Sequence, residues 1–241
     1  PHTNVKDRVV LVLDDILDEV ADLFPSEYIH IGGDECPKNY WDKNPQIQAL
    51  RIKEGLKNSQ EVQAYFTRRL EKIITSKGKK MMGWDEILQG GLTGDAVVMS
   101  WQGVKGGIEA AKQGHKVVMS PNDYNYIDYY QGELTAEGKV YIGLRMKTTY
   151  GFEPVPAGID PSLILGNQAN QWTEQLQTMR KVQYMTWPRG MAVAETNWSP
   201  AEKKNWNSFT KKVESQFEKL DAADVVYAKS MYDPIVTTQL N

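Results

Sequence analysis

The sequence predicts an α/β protein built on a parallel sheet covered by helices. Three observations carry that prediction. Apolar runs alternate with amphipathic segments along the 241 residues. The apolar runs are continuous, as in strands buried on both faces. Four of the five runs end in tryptophan, in Asp-Glu, or in both. Such endings recur at one topological level, the carboxyl end of the strands, where barrels of parallel strands keep their chemistry.

Residues 9–24 place Val9, Val10, Leu13, Ile16, Leu17, Val20 and Phe24 at helical spacing, and Pro25-Ser26 stops them. A strand over 28–33 follows, Tyr-Ile-His-Ile-Gly-Gly, and presents Asp34 and Glu35 at its end. Residues 36–58 read as an irregular excursion with a helical piece near Ile47–Lys57. Ser59 is the expected cap of a helix reaching about Thr75. Strands are expected over Lys80–Trp84, Ala96–Ser100 and Lys116–Ser120, with a short helix Gly106–Gln113 closed by Gly114. An aromatic loop, Tyr124 to Tyr130, leads into a polar stretch without clear periodicity to about Pro161. Leu163–Gln171 is the fifth strand and ends in Trp172-Thr173-Glu174. Residues 177–196 are helical, interrupted near Trp187-Pro188. Ser199-Pro200 is expected to cap a last long helix running to about Asp221. Residues 1–225 form the folded part, and 226–241 read as an extended tail.

A net charge of −3 gives no argument for nucleic acid or an anionic membrane as partner. The longest apolar runs fall far short of a membrane span. One cysteine, Cys36, excludes an intrachain disulfide framework. The three histidines are scattered without ligand spacing, so neither a metal nor a cofactor is expected. No signal peptide is visible, and Pro1 is not a natural start, so upstream sequence is expected.

Acids and aromatics on a common barrel face suggest glycoside hydrolysis, which ordinarily needs two carboxyl groups flanking the scissile bond. Asp34 and Glu35 are neighbours, and successive strand residues point to opposite faces. They are therefore poorly placed to flank one bond. A substrate's own 2-acetamido group is an alternative nucleophile. That scheme needs one acid, one carboxylate to hold the acetamide N–H, a hydroxyl on the acetamide oxygen, and an apolar box for the methyl. Asp34, Glu35, a tyrosine and several tryptophans match the list.

His30-Ile-Gly-Gly-Asp34-Glu35, Gly83-Trp84-Asp85-Glu86, Ser100-Trp101-Gln102-Gly103, Tyr126-Ile127-Asp128 and Gln171-Trp172-Thr173-Glu174 resemble, in order, the motifs of the family 20 glycoside hydrolases, the β-N-acetylhexosaminidases. The likeness runs to about Trp198. It implies a (β/α)8 TIM-type barrel, of which this chain supplies about five strands, the C-terminal portion of the catalytic domain. It implies an exo-acting, retaining enzyme that removes terminal β-linked N-acetylhexosamine from glycans by way of an oxazolinium ion. Glu35 then matches the general acid/base, Asp34 the residue orienting the acetamide, and Tyr126 the hydroxyl on the acetamide oxygen. Trp84, Trp101 and Trp172 match the pocket walls, and Asp128 and Glu174 the residues binding sugar hydroxyls. Asp85 and Glu86 are expected to support the rim, and His30 to be a hydrogen-bonded core histidine in support. Trp187-Pro188-Arg189 resembles the family's last helix and reads as structural, while Trp41 and Trp198 read as packing. Taken singly, the tryptophans could equally fill a core, Asp128 could cap a turn, and Glu174 could cap a helix. As the acid, Glu35 would need its pKa raised toward the working pH by burial or by Asp34's charge.

The family's first strands are absent, with an arginine for sugar hydroxyls and an Asp-x-Pro-Gly-His segment behind the acid. The barrel is therefore incomplete. Its missing half comes from the same protein or from a partner chain, and the piece alone is expected to show weak or no activity. The role implies a secreted or periplasmic setting. Two rivals stay open: a two-carboxylate retaining glycosidase pairing Glu35 with Glu86 or Glu174, and a glycan-binding barrel without catalysis.

Overall fold

A computed structural model describes residues 5–92, 94–132, 137 and 141–229. The elements run α1 (Val5–Leu23), β1 (Tyr28–His30), α2 (Pro45–Glu54), α3 (Ser59–Ser76), β2 (Lys80–Trp84), a 3-10 turn (Asp85–Leu88), β3 (Val97–Ser100), α4 (Lys105–Lys112) and β4 (Val117–Met119). Then follow α5 (Asn122–Asn125), α6 (Met146–Tyr150), β5 (Ile164–Asn167), α7 (Met179–Thr186), α8 (Arg189–Trp198) and α9 (Trp206–Ala222). The five strands form one parallel sheet in the order β1-β2-β3-β4-β5. Two compact units share the chain: residues 1–118 with 158–165, and residues 119–157 with 166–241.

In the first unit the β2 side chains alternate between two clusters, as a pleated strand requires. Met81 faces α1 and α3, where it joins Leu17, Ile29, Leu70, Ile74 and Ala96. Met82 and Trp84 face the other way and pack with Val97 and Met99 of β3. Register follows the same scheme, with His30 opposite Met82 and Trp84 opposite Met99. Each fully buried aliphatic side chain contributes about 1.5–3 kcal/mol, so the strand ends rest on a firm base. In the second unit Met146 and Tyr150 of α6 pack on Ala192 of α8 and on Phe209 and Val213 of α9.

Two expected caps are corrected. Asn58, not Ser59, caps α3: its side chain accepts the Glu61 N–H, and Ser59 is the first helical residue. The last helix begins at Trp206 with Asn205 as its cap, and Ser199-Pro200 leads only into the 3-10 turn Ala201–Lys203. Both asparagines accept from the third helical N–H, which Ser59, already inside its helix, and Ser199, far ahead of Trp206, cannot reach. Strands β1 and β5 are shorter than expected: β1 stops at His30 and β5 at Asn167, before the polar stretch 168–171. Residues 230–241, most of the expected tail, lie outside the described residues. Val226 and Ala228 are hydrogen-bonded to Gln183 and Trp187.

Candidate active site

In the first unit the site grows from the end of β1. Gly32 and Gly33 take φ of 74° and 102°, and Glu35 takes 45°. This left-handed run turns the chain sharply after the last ladder bond. At Gly33 a Cβ would also come within 2.8 Å of Ile87 Cγ2, so no side chain fits there. Gln63 of α3 fixes the turn by donating to the Gly33 carbonyl at 2.8 Å. Asp34 and Glu35 are exposed among the described residues, so the burial expected of Glu35 is not supplied by them. His30 is likewise exposed rather than a core residue, because β1 is the edge strand of the sheet. Its Nδ1 accepts the Gly32 N–H at 3.0 Å, which puts the proton of the neutral ring on Nε2. The ring meets Trp84 edge-on, with centroids 4.9 Å apart.

After β2, Asp85 and Glu86 are both buried. Glu86 Oε1 accepts the Glu35 backbone N–H at 3.4 Å and the Gln102 side-chain amide at 3.0 Å. Glu86 Oε2 accepts the Trp101 indole N–H at 3.0 Å. One carboxylate thus holds the loop after β1 and the two residues that follow β3. Asp85 Oδ2 accepts from Ser100 Oγ at 3.3 Å and from the Gln102 backbone N–H at 3.4 Å. Burial, and then the neighbouring Glu86 charge, push the Asp85 pKa up to about 7. A Cβ at Gly106 of α4 would fall 2.5 Å from Asp85 Oδ2, so glycine there is what lets α4 close over the carboxyl.

In the second unit Tyr126 is buried beside Trp172, with ring centroids 6.4 Å apart at 60°. The Ile127 N–H donates to the Asn170 carbonyl at 2.8 Å, and the Asn170 N–H to the Asn125 carbonyl at 2.9 Å. These bonds align the Tyr126 segment with the stretch leading to Trp172. Burial pushes the phenol pKa up to about 12, against hydrogen bonds with the Trp172 and Asn170 side chains. Asp128 is 1% exposed. Its carboxylate oxygens lack a partner at bonding geometry among the described residues. Burial pushes its pKa up to about 6; its own backbone N–H, the Arg189 charge and the Trp172 N–H pull the other way. Trp172 and Glu174 are exposed, and Thr178 rather than Glu174 caps α7. Trp198, expected to pack, is 90% exposed as the last residue of α8.

The description "Glycosyl hydrolase family 20, catalytic domain" matches residues 2–201. The chain belongs to glycosyl hydrolase family 20. A β-hexosaminidase of Porphyromonas gingivalis is 41% identical over 227 residues, covering 92% of this chain and 29% of the relative. A crystal structure of a family 20 exo β-N-acetylglucosaminidase from Vibrio harveyi, in complex with N-acetylglucosamine, superposes with a TM-score of 0.81. It is 33% identical and covers 91% of this chain and 35% of that one. A β-N-acetylhexosaminidase from Bacteroides fragilis superposes with a TM-score of 0.82 at 27% identity, covering 92% of this chain and 46% of that one. The chain thus spans about a third of the length of the curated relatives it matches, and it supplies five strands of the family's TIM barrel. Among the described residues no group of three or more His, Cys, Asp or Glu could hold a metal ion. None of their helices is long and apolar enough to cross a membrane.

The motif reading left Gln102 and Arg189 without a role at the site. Gln102 sits inside the Ser-Trp-Gln-Gly motif, which was itself the available signal. Arg189 is taken up below.

Proposed function

We propose that this chain forms the carboxylate-bearing part of a β-N-acetylhexosaminidase that removes terminal β-linked N-acetylhexosamine with retention. The observation that carries the reading is the Glu86 carboxylate, bonded at once to the Glu35 backbone and the Trp101 indole. It ties the residue proposed as the acid to a wall of the proposed N-acetyl pocket. Glu35 protonates the glycosidic oxygen while the substrate's acetamide oxygen attacks the anomeric carbon. Asp34 accepts the acetamide N–H and offsets the positive charge that develops on the oxazolinium nitrogen. Tyr126 donates to the acetamide oxygen, and its high pKa keeps the phenol protonated throughout the range in which carboxylates work. Water then opens the oxazolinium, and Glu35 takes its proton.

The same hydrogen bonds weigh against Glu86 as the nucleophile of a two-carboxylate mechanism. Both of its oxygens are engaged by neighbouring N–H groups, which lowers their nucleophilicity. The remaining strands come from the rest of the same protein or from a partner chain, and the setting is secreted or periplasmic.

The test is hydrolysis of an aryl N-acetyl-β-glucosaminide beside the plain aryl β-glucoside by the protein that carries this chain. Cleavage of the N-acetyl substrate alone supports the reading. Equal rates on both sugars overturn acetamide participation and favour the two-carboxylate mechanism.

A further inference from the structure

Arg189, at the start of α8, is fully buried. A buried guanidinium ordinarily pairs with a carboxylate, yet every hydrogen bond of this one goes to a backbone carbonyl. Nη1 donates to Tyr129 O at 2.7 Å and Leu144 O at 3.1 Å. Nη2 donates to Ile127 O at 2.5 Å and Met185 O at 2.8 Å, and Nε also reaches Met185 O at 3.3 Å. All five N–H donors of the group are thereby used. Two of the carbonyls belong to the residues immediately before and after Asp128.

A fold that needed only these carbonyls satisfied could use neutral donors, without the cost of desolvating a cation. The charge has a second effect here. It favours the ionised form of Asp128, whose buried carboxylate otherwise leans toward neutrality beside the Glu174 charge. The groups facing Arg189 itself are Asp128, Glu137 and Tyr184. Glu137 is already engaged by the Gln131 N–H and the Tyr184 hydroxyl, both at 2.8 Å. Glu137 is the larger charge partner of Arg189 and Asp128 the second, but Asp128 is the one whose carboxylate oxygens lack hydrogen-bond partners among the described residues.

We propose that Arg189 is a positioning residue for sugar binding: it clamps the backbone on both sides of Asp128 and holds that carboxylate in its charged form, ready to accept a sugar hydroxyl. The proposal rests on the hexosaminidase reading, in which Asp128 binds the non-reducing terminal sugar.

The experiment compares Arg189→Met, Arg189→Lys and Asp128→Asn in the protein that carries this chain. It follows kcat/KM for an aryl N-acetyl-β-glucosaminide across pH, with thermal melts to establish that each variant is folded. Arg189→Met is expected to raise KM more than it lowers kcat. It should also move the acid limb of kcat/KM up by about one pH unit, the scale of one lost neighbouring charge. Arg189→Lys keeps the charge but has three donors for four carbonyls. It should leave the limb in place and lower kcat/KM about tenfold, the cost of one buried charge-assisted hydrogen bond. Folded Arg189 variants with wild-type kcat/KM and an unmoved limb overturn the proposal, as a purely structural clamp would give lower melting points alone. If Arg189→Met does not fold, Arg189→Lys decides: wild-type kcat/KM overturns, and a tenfold loss with the limb in place supports. An unchanged KM in Asp128→Asn sinks the hexosaminidase assignment of Asp128 and the proposal with it. A raised KM there, beside silent Arg189 variants, sinks the proposal alone.

Discussion

The backbone N–H of Glu35 donates to the buried carboxylate of Glu86 at 3.4 Å, so the loop after β1 is held by the turn after β2. Glu86→Gln keeps the shape but turns one acceptor oxygen into a donor facing a donor. Leaving a buried N–H unsatisfied costs about 1–3 kcal/mol. Activity on an N-acetyl substrate is therefore expected to fall roughly 10- to 100-fold, and the melting temperature by a few degrees. Steady-state kinetics check it, and an unchanged kcat/KM would remove Glu86 from the rim.

Glu35→Gln is expected to lower turnover by about 10²–10⁴-fold on substrates with poor leaving groups, the usual worth of general acid catalysis. The loss should shrink for a nitrophenolate leaving group, which needs no proton. A paired assay of the two leaving groups decides, and equal losses on both would assign Glu35 another role.

Burial, and then the Glu86 charge, push the Asp85 pKa in the folded chain up from an ordinary 3.8 to about 7. Between those values the folded state keeps a proton that the unfolded state has released. Stability therefore falls as pH rises from about 4 to about 7. Asp85→Asn should flatten this dependence, and the variant should melt a few degrees above wild type at pH 8. Asp128, pushed up to about 6, adds a change of the same sign over a narrower pH window. Melting curves at pH 5 and pH 8 test the assignment, which a wild-type slope in the variant would defeat.

Gly33→Ala puts a Cβ against Ile87 at a backbone angle that alanine disfavours. Strain of this kind costs about 1–3 kcal/mol, or roughly 5 °C in melting temperature. Because Asp34 follows directly, kcat should fall as well. A variant with wild-type melting and activity would show that the turn relaxes freely.

Local signals carried much of the fold. The bounds Lys80–Trp84 were legible to the residue because a continuous apolar run meets a polar Asp-Glu stop. The end of β1 was not, since Ile31 and Gly32 still bond to Met82 and Trp84 after the regular strand has ended at His30. The start of α9 was missed because Ser-Pro-x-Glu opens a 3-10 turn as readily as a helix, and the capping asparagine lies five residues further on. Exposure of His30 and Trp198 depends on what packs beside them, which no local pattern encodes. At the site, motif residues could be named, but the clamp by Arg189 could not. Its acceptors Ile127, Tyr129 and Leu144 lie 45 to 62 residues away. The one available clue was a charge at the head of an otherwise apolar helix start.

One guanidinium bonding the carbonyls of Ile127, Tyr129, Leu144 and Met185 also couples their motions. None of these segments can swing out without breaking bonds that hold the others. In native-state hydrogen exchange they should open as one cooperative unit rather than fray separately. The Asp128 segment then has two conditions, assembled or open, with no graded slackening between them.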